Sequence, residues 1–147
     1  KGKAQLGQSW GGVWQLHGGY GYTKGTGEDG SGLESIAPHQ LKLGVGQQAA
    51  SWRWELAASH SAGKKKSDLP TGSRSLFLNP SYTVLDWTAQ VALRKDLRLN
   101  VGLYNLTDKK YWNWSDVRGV TAAAERAAID AYSQPGRNVR VSMVLDF

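Results

Sequence analysis

The chain has 147 residues, enough for one domain of ordinary size, and its 18 Lys and Arg against 12 Asp and Glu give a formal net charge of +6. It has no Cys, which excludes disulfides, thiolate nucleophiles and cysteine metal sites. No stretch approaches the roughly 18 consecutive apolar residues of a membrane helix, so any membrane contact would require strands closed into a barrel. The sequence has seven Trp and six Tyr but two Phe. Trp and Tyr combine an apolar ring with a polar group, and such side chains are typical of membrane–water interfaces.

Seven segments alternate between apolar and polar residues with the period of a β-strand. In chain order they are residues 3–10, 13–23, 39–48, 51–61, 82–93, 97–106 and 138–147. The fourth segment is the clearest, because Trp54 and Leu56 fall on one face while Arg53 and Glu55 fall on the other. The sequence therefore predicts an all-β, antiparallel fold.

The final segment is about as long as a tilted strand needs to be to cross a bilayer, roughly 9–11 residues. Its apolar face ends on the aromatic Phe147. This pattern resembles the closing strand of bacterial outer-membrane barrels, in which the terminal aromatic residue belongs to the assembly signal. Taken alone, the segment fits the last strand of a soluble sandwich equally well.

The lengths of the connections favour the barrel. Short turns at Gly11-Gly12, 48–50 and 94–96 alternate with long loops at 24–38, 62–81 and 107–137. Transmembrane barrels have short periplasmic turns and longer outer loops, whereas a soluble sheet has no reason to sort its loops in this way. The middle of the last loop, residues 121–130, is rich in helix formers and is expected to hold a short helix.

Six full strands and one partial strand are too few for a bacterial barrel, which has an even number from about eight upward. The chain also opens on Lys1-Gly-Lys3 without an initiator Met or a signal peptide. We therefore expect a processed product or a fragment that forms the C-terminal piece of a larger barrel.

A set of short motifs carries a family resemblance. The motifs are Tyr20-Gly-Tyr-Thr-Lys-Gly25, Ile36-Ala-Pro38, Tyr82-Thr-Val-Leu-Asp86, Asn105-Leu-Thr-Asp-Lys-Lys-Tyr111 and Pro135-Gly-Arg-Asn138. In this order they resemble the end of TonB-dependent outer-membrane receptors. The resemblance implies that residues 1–147 are the C-terminal part of one barrel domain, with the last six to seven strands of a 22-stranded transmembrane barrel. The plug domain, through which such receptors reach the TonB complex, is absent from the sequence.

Two further stretches, 111–119 and 131–137, are similar to the haem and haemoglobin receptor branch of that family. This similarity implies iron uptake at the bacterial outer membrane, with haem as the transported ligand and haemoglobin or a haemophore as its donor. No cofactor is expected on this chain alone. The histidines that bind haem in that branch lie outside the matching stretches, so none is carried over to this sequence.

Four residues are the best candidates for ligand contact: Tyr111, Trp112, Trp114 and Arg118. Haem is flat and apolar and carries two propionates, so aromatic rings beside basic residues suit it. The alternative is that these rings belong to an interface belt and to loop packing. His60 is the best placed of the three histidines, but its strand phase groups it with Trp54, so we expect it to face the interface rather than bind haem.

On the barrel interpretation, the apolar faces contact membrane lipid. The residues predicted to face the membrane are Trp14, Trp52, Trp54, Trp87 and Leu145. The opposite faces place Lys42, Arg53, Glu55 and Asp86 towards a polar lumen, where they would meet the plug. The run 64–66 of three Lys is expected to be a solvated loop, and the alternative is that it meets an acidic protein or lipopolysaccharide phosphates.

Other classes of function remain as alternatives. A small free-standing outer-membrane barrel with a structural or adhesive role would need an eighth strand, and so an ordered hairpin within 107–137. A soluble nucleic-acid-binding β-domain would use the positive charge and the aromatic residues, but the charges are dispersed, so no nucleic-acid partner is expected. The sequence contains no catalytic motif and no metal-binding motif, and we expect no enzyme activity.

Overall fold

The computed structural model describes residues 1–9 and 11–146, and within them the backbone forms seven β-strands. The strands are β1 (Gly2–Ser9), β2 (Gly12–Gly21), β3 (Gln40–Gln48), β4 (Trp52–Ser61), β5 (Tyr82–Ala92), β6 (Leu97–Tyr104) and β7 (Asn138–Leu145). They pair in chain order as one antiparallel sheet, with β1 and β7 at its edges. The predicted all-β fold is confirmed, and every strand begins and ends within two residues of its predicted bounds.

The connections alternate in length as predicted. Short connections join β1 to β2, β3 to β4 and β5 to β6, and in the first of them Gly11 has a φ of 75°, which favours glycine. The other connections are the first long loop (22–39), the second long loop (62–81) and the third long loop (105–137). Because consecutive strands are antiparallel neighbours, all three long loops lie at one end of the sheet.

The strand register aligns like residues into rows across the sheet. One row consists of Leu16, Val45, Leu56, Trp87, Leu103 and Val139. The next row consists of Gln15, Gly46, Glu55, Thr88, Gly102 and Arg140. Successive side chains point to opposite faces of a strand, so the sheet has one apolar face and one polar face. The apolar face is open, and Leu43 and Val141 keep 50% and 65% of their surface exposed.

The residues predicted to face a membrane share the apolar face. They are Trp14, Trp52, Trp54, Trp87 and Leu145. Trp14 and Trp54 lie in one row with Gln47 between them, and their rings meet edge to face with centroids 5.8 Å apart. Gln47 accepts a hydrogen bond from the Trp54 indole at 3.3 Å, which gives this amide a partner on an apolar surface. Phe147, the predicted assembly signal, lies outside the described residues.

The buried hydrophobic cluster of the described residues lies in the loops and not on the sheet. It consists of Leu69, Trp114, Val117, Val120 and Ile129, with Phe77, Leu78 and Trp112 packed against it. All of these residues come from the second and third long loops. The buried core that a folded domain usually has therefore lies among the long loops, and the apolar face of the sheet stays open.

Short helices fold parts of the long loops. The third long loop contains α1 (Trp114–Val117), α2 (Ala123–Ala127) and a 3₁₀ turn at Ile129–Tyr132, and the second contains a 3₁₀ turn at Lys66–Asp68. The α2 helix confirms the short helix expected within 121–130, whereas α1 was not predicted. No strand forms anywhere in residues 105–137, so the ordered hairpin expected for a free-standing barrel is wrong. Across residues 1–9 and 11–146, no helix has the length and apolar character to cross a membrane.

The open apolar face predicts how the isolated chain behaves in solution. Contiguous exposed apolar surface larger than a few hundred Å² promotes association in water. We expect the 147-residue chain to aggregate in buffer and to become monodisperse when detergent covers this face. Size-exclusion chromatography with light scattering measures the difference, and a stable monomer without detergent would contradict the barrel interpretation.

Candidate functional site at the loop end of the sheet

A hydrogen-bonded turn at the end of β6 anchors the third long loop. Asn105 has a φ of 50° and Asp108 a φ of 52°, a backbone conformation that Asn and Asp adopt more readily than most residues. The Asn105 backbone N–H donates to Asp86 Oδ1 on β5 at 2.8 Å. Its side-chain Nδ2 donates to the carbonyls of Lys109 at 2.8 Å and Pro135 at 3.1 Å. Through its backbone N–H and its side-chain amide, Asn105 thus ties together β5, the start of the third long loop and its end.

Asp108 closes the same turn from its other side. Its Oδ1 accepts a hydrogen bond from the Arg137 backbone N–H at 2.8 Å, one residue before β7 begins. A Cβ on Gly136 would come within 2.7 Å of that carboxylate oxygen, so glycine allows the close approach. The turn and its partners hold the base of the third long loop shut, and we call Asn105, Asp108 and Asp86 the loop staple.

All three long loops meet above the sheet. Trp114 is 3% exposed, and its indole Nε1 donates to the Glu34 carbonyl of the first long loop at 2.6 Å. The backbone N–H of Leu76, in the second long loop, donates to the Val120 carbonyl of the third at 2.9 Å. The loops therefore form a packed cap in which residues far apart in the chain are in contact.

Lys64 is part of this cap. It is 7% exposed, its Nζ donates to the Ile36 carbonyl at 2.7 Å, and the same nitrogen lies 5.2 Å from the centre of a Trp114 ring. Burial lowers the pKa of Lys64, while the carboxylates of Asp68 and Glu34 oppose that shift. The prediction of a uniformly solvated basic run is wrong for Lys64, because its ammonium group links the first and second long loops.

The four predicted ligand-contact residues do not form one surface. Trp114 is buried in the cap, and Trp112 packs on Phe77 with ring centroids 5.3 Å apart and donates its indole N–H to the Ile129 carbonyl. Arg118 is exposed on the outside of the third long loop. Only Tyr111 reaches the polar side of the sheet. The alternative of loop packing thus describes the positions of both tryptophans.

Tyr111 lines a pocket where the polar face meets the third long loop. The pocket has a volume of about 230 Å³, and its lining includes Gln40, Lys42, Ser59, Tyr82, Asp86, Tyr111 and Asn113. The rings of Tyr82 and Tyr111 lie with centroids 4.4 Å apart, and the Tyr82 hydroxyl donates to Asn113 Oδ1 at 2.8 Å. Tyr82 and the loop staple were not predicted from the sequence, although strand phase places Tyr82 on the same face as Asp86.

A larger groove of about 740 Å³ follows the rest of the polar face. Its lining includes Gln15, Gln48, Arg53, Glu55, Thr88, Asn100 and Arg140. His17 Nε2 crosses over Gly44 to lie 3.5 Å from Glu55 Oε1, and glycine at this position leaves room for the imidazole. Arg53 and Glu55 therefore face the polar side, as their strand phase predicted.

The remaining histidines lie with the apolar face. His60 sits opposite Leu41 and Thr83, and its Nδ1 is 2.9 Å from Thr83 Oγ1. His39 Nδ1 is 2.6 Å from the hydroxyl of Tyr20. In the part of the chain that the structure describes, no three His, Asp or Glu side chains are grouped so as to hold a metal ion. His60 thus shares the register row of Leu41 and Thr83 on the apolar side, as its strand phase predicted, and its position at a membrane interface stays a prediction.

Comparison with known proteins identifies the class. The family model described as "TonB dependent receptor-like, beta-barrel" matches residues 3–106, and the chain belongs to this family. The family consists of receptors and transporters and not of enzymes. Among solved structures, the copper transporter OprC superposes with a TM-score of 0.75 at 17% identity, over 99% of this chain and 22% of that one. A mutant of the ferric enterobactin receptor PfeA from Pseudomonas aeruginosa gives 0.64 at 22% identity, over 99% and 21%.

Two curated relatives have names that refer to haemoglobin. Hemoglobin-binding protein A of Haemophilus influenzae is 26% identical in an alignment that covers 87% of this chain and 14% of that protein. Hemoglobin-haptoglobin utilization protein B of Neisseria meningitidis serogroup C is 26% identical in an alignment that covers 86% of this chain and 18% of that protein. The chain therefore spans less than a fifth of the length of these two relatives.

The loop staple generates a prediction about the third long loop. Replacing Asn105 with Ala removes the side-chain bonds to Lys109 and Pro135 and places Ala at a positive φ, which costs roughly 1–3 kcal/mol. We expect trypsin to cleave the detergent-solubilised chain at Arg118 about tenfold faster in the Asn105→Ala variant. Timed proteolysis with mass spectrometry measures the rate.

The matched control is Thr107→Ala, an exposed position in the same turn. It should leave the cleavage rate at Arg118 unchanged. Equal rates for the Asn105→Ala variant and the unmodified chain would show that the turn does not hold the loop.

Proposed function

We propose that this chain is the C-terminal part of the barrel of an outer-membrane receptor that takes up iron as haem, with haemoglobin or a haemophore as the donor. The observation that carries the proposal is that two relatives named for haemoglobin binding or use each match at least 86% of the chain. In this proposal the other barrel strands and the plug belong to the rest of the receptor. Energy reaches the receptor through contact of the plug with TonB.

The two faces of the sheet support the membrane part of the proposal. The apolar face contacts lipid, and Trp14, Trp52 and Trp54 lie towards the end with the short connections, which we assign to the periplasm. Trp87 and Leu145 continue the same lipid-facing surface. The three long loops then face the outside of the cell, where the exposed Lys65 and Lys66 are near lipopolysaccharide phosphates. The polar groove faces the plug.

The loop cap supports the ligand part of the proposal. Its buried cluster and inter-loop hydrogen bonds give it a defined surface at the mouth of the barrel. Tyr111 meets haem on the polar side, and Arg118 meets the haem-carrying protein on the outer side. Trp112 and Trp114 act indirectly, because they hold the third long loop in the position that presents the other two residues.

Growth on defined iron sources tests the proposed ligand. The receptor that contains this chain is expressed in an iron-starved Gram-negative strain that lacks its own haem receptors. We expect growth on haemoglobin and on haemin, and no growth once TonB is deleted. Growth on ferric enterobactin but not on haemin would contradict haem uptake and would favour a siderophore receptor.

A charged substitution tests which face contacts lipid. Leu56 lies in the middle of β4 on the apolar face, and Thr88 pairs with Glu55 on the polar face. Arginine near the bilayer midplane of a barrel costs about 2–4 kcal/mol, whereas a lumen position tolerates charge. We expect Leu56→Arg to lower the free energy of unfolding of the receptor in lipid vesicles by this amount and Thr88→Arg to have little effect.

Tryptophan fluorescence during denaturant titration in vesicles measures both unfolding free energies. If Thr88→Arg costs more than Leu56→Arg, the assignment of the two faces is reversed.

A further inference from the structure

The pocket beneath the third long loop has features of a binding site for an anion. It lies on the polar face where β3, β4 and β5 reach the loop end of the sheet, and its volume is about 230 Å³. Pockets that hold a whole drug-sized ligand measure roughly 300–1,000 Å³. A volume below that range suits one edge or one substituent of a larger molecule.

Lys42 supplies the positive charge of this pocket. Its register partners are Gly19 on β2 and Ser59 on β4, so one neighbour has no side chain and the other has a small hydroxyl. Among the described residues, no carboxylate lies within ion-pair distance of its ammonium group. The exposed ammonium is therefore available to a ligand, and an oxygen anion is its natural partner.

Asp86 is the acidic residue in the lining, and its position limits its influence. One of its carboxylate oxygens accepts the Asn105 backbone N–H at 2.8 Å, as part of the loop staple. On β4, Asp86 pairs with Ala57, whereas Lys42 pairs with Ser59, two residues further along the strand. Asp86 thus positions the third long loop and is two residues along the strands from the row of Lys42.

Tyr111, in the third long loop, adds a hydroxyl donor to the lining of the pocket. Its ring is held against Tyr82, and its backbone carbonyl accepts the Gln134 N–H at 2.9 Å, so the loop fixes where the phenol lies. Burial raises the pKa of Tyr111, with further contributions from Tyr82 and Asp86, so the phenol stays protonated at neutral pH. The Tyr82 hydroxyl is already donated to Asn113, which leaves Tyr111 as the tyrosine donor for a ligand.

We propose that this pocket binds a carboxylate of the transported ligand between the Lys42 ammonium and the Tyr111 hydroxyl. The inference rests on the proposed function, in which the ligand is haem, whose two propionates are its anionic groups. One propionate occupies the pocket while the porphyrin ring stays above it in the mouth of the barrel. Lys42 and Tyr111 are then determinants of specificity for carboxylate-bearing porphyrins.

The experiment compares haemin with haemin dimethyl ester, in which both propionates are uncharged. Binding of each to the purified full-length receptor in detergent is followed by the shift of the Soret band. We expect the receptor to bind haemin about tenfold more tightly than the ester, as for a lost charge-assisted hydrogen bond. The Lys42→Gln variant should bind the two compounds equally, with its affinity for the ester unchanged.

Two further variants complete the test. Lys42→Arg keeps the charge and should retain the preference for haemin. Arg53→Gln removes a cation from the large groove and not from this pocket, so it should retain the preference as well. Unchanged ester affinity in each variant reports that the receptor is folded.

The result that overturns the inference is equal binding of haemin and its ester by the unmodified receptor, or equal weakening of both by Lys42→Gln. Either result leaves haem as the ligand and removes the carboxylate subsite. If the unmodified receptor binds neither haemin nor its ester, the proposed function and the subsite are overturned together.

Discussion

A β-sheet with one open apolar face can persist only where something other than water covers that face. Here each strand pairs with the strands that precede and follow it in the chain, yet Leu43 and Val141 keep at least half of their surface exposed. Burial of apolar surface is worth roughly 25 cal/mol per Å², so an open apolar face across seven strands would drive copies of the chain to associate in water. The proposed membrane position resolves this conflict: in it, lipid covers the apolar residues while the strand ladder satisfies the backbone.

The same constraint explains why the compact interior lies in the loops. In the proposed position, with lipid on one side of the sheet and a polar groove on the other, the sheet itself offers no dry core. The long loops meet water and must bury their own apolar residues, and they do so around Trp114 and Val117. Hydrogen bonds from Trp114 to Glu34 and from Lys64 to Ile36 then join the first long loop to the others.

The loop staple connects this cap to the sheet. Asp86 on β5 holds Asn105, and Asn105 and Asp108 hold the last residues before β7. The third long loop is therefore fixed at its base as well as at its tip. Tyr111 follows the staple by three residues, so the anchored turn determines where this tyrosine lies above the polar face.

The alternation of apolar and polar residues was sufficient to predict the strands, their faces and the end of the sheet that carries the long loops. These features depend on neighbours two residues apart and on consecutive pairing, which are local properties of the chain. The positions of Trp112, Trp114 and Lys64 depended on tertiary structure, because their partners lie in other loops and the Trp114–Glu34 bond spans 80 residues. A residue type in a loop does not indicate whether its side chain is buried or exposed, so only packing separated Tyr111 from the two tryptophans beside it.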